Sequence, residues 1–116
     1  MATIASTHLS GAPYSAGVTW ALANGDDGIP AELPEYSDRS VQVSGDFGVG
    51  GTVLIEGSND GVNWATLRDP QGTSLSFTSA GIRGVVEMTR MIRARVSAGN
   101  GSTAVSVSMF VRRTGR

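Results

Sequence analysis

Apolar and polar residues alternate along this chain in short runs punctuated by glycine, the period-two signature of half-buried β-strands. In "AGVTWAL" the alternation puts Val18, Trp20 and Leu22 on one face, and in "SVQVSGDF" it puts Val41, Val43 and, across a glycine, Phe47 on another. "GTVLIEG" offers Val53 and Ile55, "VNWATL" follows, and "SLSFT" turns Leu75 and Phe77 inward with serines outward. The last third alternates most clearly. Ile92, Ala94 and Val96 oppose Met91, Arg93, Arg95 and Ser97, and then Val105, Val107, Met109 and Val111 oppose Ala104, Ser106, Ser108, Phe110 and Arg112. Between these two runs "AGNGS" supplies the Gly and Asn of a tight connection, so they are expected to form a hairpin. "SAGIRGVVEM" holds a helical turn at most, because two glycines and a β-branched pair oppose anything longer. The pattern predicts an all-β fold, an antiparallel β-sandwich of about eight strands, jelly-roll or Ig-like, between which alternation does not choose.

Residues 1–15 are expected to form an extended N-terminal arm and residues 16–116 a single sandwich domain, in which 24–38 is a long acidic loop. The first 38 residues hold three of the four prolines (Pro13, Pro30, Pro34) and the run "NGDDGIPAELPEY", which punctuate rather than alternate. A length of 116 residues suits one core. Charged residues make up only 16% and glycines number 16, a β composition. With no cysteine, neither disulfides nor thiolate metal sites can form. A net charge of -1 lacks the basic footprint of a nucleic-acid binder, and no apolar run is long enough for a membrane helix. All nine basic residues are Arg, the cation suited to planar pairing at protein interfaces; a GC-rich genome would produce the same bias.

Candidate chemistry is sparse. The only histidine, His8, falls in the arm, with no cysteine or second histidine to make a nucleophile pair or metal site, so no enzyme and no cofactor are expected. Asn59, Asp60 and Gly61 form a hairpin turn signal, with Trp64 on the second strand where its ring caps the core. Neither this turn nor "NGDDG" has the ligand spacing of a calcium loop. The remaining candidates lie on the surface. Tyr14, Trp20 and Tyr36 sit in the irregular first region. Arg90, Arg93 and Arg95, with Arg112 and Arg113 beside them on the partner strand, make a basic stripe that either pairs with Glu87 and the acidic loop or meets an acidic partner.

The succession of motifs from residue 40 to 113 resembles a group of small structural proteins of tailed bacteriophages. The residues that carry the resemblance are "IEGSNDGVNW" (Ile55–Trp64), "DPQGTSLSFTSAGI" (Asp69–Ile82) and "IRARVSAGNGSTAVSVSMFVRR" (Ile92–Arg113); the first 38 residues carry none of it. The resemblance implies a virion component, a capsid decoration or cement protein on the capsid surface, made in the bacterial host cytoplasm. Its expected partners are the major capsid protein and itself, as a homodimer or homotrimer, with no nucleic acid, membrane or small-molecule substrate. In that role Arg90, Arg93 and Arg95 would meet acidic capsid groups, Trp20, Tyr36 and Tyr14 would serve as interface anchors, and residues 1–15 would add a strand to a neighbour. "SNDGVNW" alone also resembles the hairpin of discoidin-like carbohydrate-binding sandwiches, so the alternative is a glycan-binding module of a tail or fibre. A ring-forming head-completion or tail-tube subunit is a third reading.

Overall fold

The computed structural model describes residues 3–4, 7–10 and 15–113. They contain twelve strands: β1 (Thr3–Ile4), β2 (Thr7–Ser10), β3 (Ser15–Ala23), β4 (Asp27–Gly28), β5 (Ala31–Glu32), β6 (Asp38–Asp46), β7 (Thr52–Ser58), β8 (Ala65–Thr66), β9 (Ser76–Phe77), β10 (Gly81–Val85), β11 (Met91–Ala98) and β12 (Ala104–Arg112). None of the described residues is helical. The strands form two sheets. The first has the order β1-β4-β11-β7-β8, with β5 also on β11 and β9 also on β7; the second has the order β10-β6-β12-β3-β2. All pairings are antiparallel except β1 with β4.

The alternation sorts the core as expected. Val18, Trp20 and Leu22 of β3, Val41 and Val43 of β6, and Val105, Val107, Met109 and Val111 of β12 face Val53 and Ile55 of β7 and Ile92, Ala94 and Val96 of β11, all buried between the sheets. Leu75 and Phe77 close one side. Each large aliphatic chain removed from water in this way contributes roughly 1.5–3 kcal/mol against the entropy of ordering the backbone. The principal strands β3, β4, β6, β7, β10, β11 and β12 switch sheets at each step. This winding is a jelly roll, the first of the two topologies the alternation allowed.

Three expectations are corrected. β11 and β12 do not form a hairpin: β11 pairs with β4, β5 and β7, whereas β12 lies in the other sheet between β3 and β6. Either arrangement turns the same residues inward, so the periodicity fits both. The connection is held to the β6–β7 turn instead, where Thr103 Oγ1 donates to Phe47 O at 2.9 Å and accepts from Asn100 N at 3.0 Å. "SAGIRGVVEM" contains β10, paired residue by residue with β6 from Gly81↔Val43 to Val85↔Arg39; pairing supplies the order that its glycines oppose locally. The acidic 24–38 segment is not all loop, because β4 and β5 lie against β11. Within residues 1–15, β1 pairs with β4 and β2 with β3.

Candidate interaction surface

The outer face of the first sheet carries the arginines singled out above, and its register decides what they do. Arg93 of β11 lies opposite Glu56 of β7, and Arg95 lies opposite Asp27 of β4. Arg93 Nε donates to Glu56 Oε1 at 3.0 Å and Arg95 Nη1 to Glu56 Oε2 at 3.2 Å, so one buried carboxylate holds two guanidinium groups. Arg95 Nε also lies 3.4 Å from Asp27 Oδ1. The Arg93 guanidinium stacks 4.2 Å from the Trp64 ring centroid, a cation–π contact on a half-buried indole. Two cations and two anions leave this cluster neutral. Arg90 precedes β11, and its Nε meets Glu32 Oε2 at 3.0 Å while its backbone N–H donates to Asn59 Oδ1 at 2.9 Å.

The acidic loop therefore supplies partners for the stripe, as one of the two readings held, but Glu87 does not. Glu87 pairs with Arg68 at 2.8 Å. Arg112 is not beside the stripe either: it lies on the second sheet and meets Asp38 at 2.8 Å, and Arg113 follows the same strand. The stripe is ion-paired within the chain, because β7 places Glu56 beside Arg93 and Arg95, a neighbour that the period of β11 does not reveal.

The hairpin residues are bound to one another. Asp60 Oδ1 accepts from the backbone N–H groups of Asn63 and Val62 and from Ser58 Oγ, each at 2.8 Å, and Oδ2 accepts from Asn63 Nδ2 at 2.8 Å. The Asn63 and Val62 backbone bonds, followed by those of the Asn63 and Ser58 side chains, hold the Asp60 carboxyl well below the usual carboxylate range. Gly61 takes the left-handed φ of +78° that the turn needs. Among the described residues no three His, Asp or Glu gather as a metal-binding group.

The aromatic candidates divide. Trp20 is 1% exposed and its Nε1 donates to Ile29 O at 2.9 Å, so it is a core residue and offers no surface anchor. The reason is Gly28, whose missing Cβ would lie 2.7 Å from the indole and 2.9 Å from Ala94 O. Tyr36 is half-buried against the core. Tyr14 lies outside the described residues, and His8 is on β2 opposite Val18 in register.

The second sheet's outer face is of another kind. Its register builds cross-strand rows Ile82–Gln42–Ser108–Thr19, Gly84–Ser40–Phe110–Gly17 and, one step along, Ser44–Ser106–Ala21. No residue in these rows is ionisable. Phe110 is 54% exposed and Ile82 65% exposed. Phe110 has Ser40 and Gly17 as its row neighbours, too small to cover the ring. On either side of it lie hollows of ≈ 350 Å³, towards Pro70 and Gly84, and ≈ 190 Å³, towards Ile82 and Ser108. The outward register of Phe110 was legible in the sequence. What was missed was its meaning: a large aromatic in a row of Ser, Thr and Gly is an exposed apolar crest. Ile82 was hidden because its segment, allowed a helical turn at most, was not read as a strand.

No protein-family model matches this chain, and no curated protein matches it by sequence. Solved structures do resemble it. The SPBc2 prophage-derived protein YomS superposes with a TM-score of 0.64 at 10% identity, covering 89% of this chain and 98% of YomS. A cupin superfamily protein from Desulfitobacterium hafniense DCB-2 gives a TM-score of 0.50 at 12% identity, over 93% of this chain and 75% of that one. At such identities the likeness is one of fold. Both agree with the two-sheet winding traced above.

Proposed function

We propose that this chain is a non-enzymatic virion structural protein, a capsid cement or decoration protein that binds the outer surface of the major capsid protein lattice and stabilises the particle. The observation that carries the reading is the middle of the second sheet's outer face, three rows without an ionisable residue crested by Phe110 and Ile82, a surface suited to burial against protein. Two further features support it. Residues 40–113 resemble tailed-phage structural proteins motif by motif, and a prophage-derived protein shares the fold over nearly its whole length. The role needs a rigid body and adhesive surfaces, and the ion-paired first sheet supplies the rigidity. The partners in this reading are the major capsid protein and further copies of the chain. The glycan-binding alternative has less to draw on, since the Trp64 ring already stacks with Arg93.

Co-sedimentation with undecorated capsids of the cognate phage tests the proposal. Saturable binding at a fixed ratio to the capsid protein, with added resistance of the particles to heat, is expected. Particles that sediment without it would overturn the capsid role and direct attention to tail and fibre.

A further inference from the structure

The outer face of the second sheet carries both halves of a contact, and we infer that two copies of this chain associate through it, face to face, about a two-fold axis. Phe110 is the projecting half, and the hollows beside it are the receiving half. A two-fold contact asks one patch to supply both, so that each copy's ring enters the other's hollow. Ile82, at the rim of the smaller hollow, adds apolar surface for the incoming ring.

Charge selects the occupant. The three cross-strand rows contain no ionisable group; the Arg112–Asp38 pair that lines the larger hollow is neutral as a pair, and Asp46 lies beyond the rows at the far end of the face. A strongly charged partner would desolvate its charges against the uncharged rows around Phe110, whereas a copy of this face brings the same uncharged rows to them. Serine and threonine hydroxyls across the rows, such as Thr19 and Ser108 at 3.4 Å, can donate and accept alike and so can pair with their own kind.

Area is sufficient. Five strands of nine, nine, nine, five and four residues, averaging about 24 Å in length and about 4.8 Å apart, offer about 600 Å² per copy. The pair then buries about 1,200 Å², the lower end of what stable specific interfaces bury. The inference rests on reading this face as a protein contact; a dimer built on it leaves the capsid to another surface of the chain, so the two can fail separately.

Sedimentation equilibrium of the full chain over a concentration series is the test. The expected mass is twice 12.0 kDa. Phe110→Ser is expected to raise the dimer dissociation constant about thirtyfold or more, as loss of a central aromatic does. Ser108→Arg, which sets an unpaired cation in the same contact, is expected to do likewise, and Ala65→Arg on the first sheet to leave the dimer intact. A chain that stays monomeric, a trimer, or a dimer indifferent to both Phe110→Ser and Ser108→Arg would overturn the inference. A monomer that still saturates capsids sinks only the dimer; a dimer that ignores capsids sinks only the cement role.

Discussion

Glu56 shows how one residue can redirect an expectation. Sequence alternation put Arg93 and Arg95 outward and correctly so, but their neighbour across the strand gap belongs to a segment some 40 positions away, which periodicity does not see. The carboxylate is buried and holds both guanidinium groups. Removing Glu56 leaves the largely buried Arg93 without its carboxylate and Arg95 with Asp27 alone, at a cost of about 3 kcal/mol or less. Glu56→Ala is therefore expected to lower the urea midpoint clearly, and Glu32→Ala, which breaks an exposed pair with Arg90, to cost less than about 1 kcal/mol. Equal midpoints would mean that the cluster holds no more than a surface pair does. Arg39 escaped the sequence reading for a related reason. It shares the inward register of Val41 and Val43, yet it is an arginine. The structure keeps it inside at 6% exposure by directing Nε to Tyr36 O and Nη2 to the carbonyls of Leu33 and Thr89. Burial pushes its guanidinium pKa down.

At the scale of elements, legibility follows length. β3, β6, β7, β11 and β12 are each seven to nine residues long, enough to display a period, and the apolar residues of their inward faces were foreseen. β4, β5, β8 and β9 are two residues each and exist only because a longer strand offers them an edge. β4 matters out of proportion to its size, since Gly28 lets the chain pass directly over Trp20. Gly28→Ala is expected to cost about 1–3 kcal/mol through overpacking against the indole and Ala94 O. Gly101→Ala, with open space around it, should leave the melting temperature nearly unchanged. If both variants melted like the parent, the close approach of β4 would be incorrect. The phage-like motifs fall on the β7–β8 hairpin, the β9–β10 segment and the β11–β12 crossing. They were visible without revealing that the last of these joins two sheets.

The whole molecule should respond to acid in one direction. The carboxyls of Asp60, Asp69 and Glu87 are all held below their ordinary range, by the Asn63 and Val62 backbone, by Arg83, and by the Arg68 backbone and side chain respectively. In the unfolded chain they take up protons near pH 4, and in the folded chain only at lower pH. The unfolded state then binds more protons in between, so stability is complete above about pH 5 and falls as the pH drops below about 4. Urea midpoints measured from neutral to acid pH check this, and Asp69→Asn should flatten the acid limb; a midpoint that rose on acidification would refute it. A last consequence concerns synthesis. β12 is the middle of the second sheet, and β3 and β6 on its two sides pair with it and not with each other. Of the described strands β12 is made last. A ribosome adding about 5–20 residues per second leaves β3 and β6 without their shared partner for several seconds. The second sheet is thus assembled after translation has passed Arg112, and a nascent chain stopped before Ala104 holds two flanks with nothing between them.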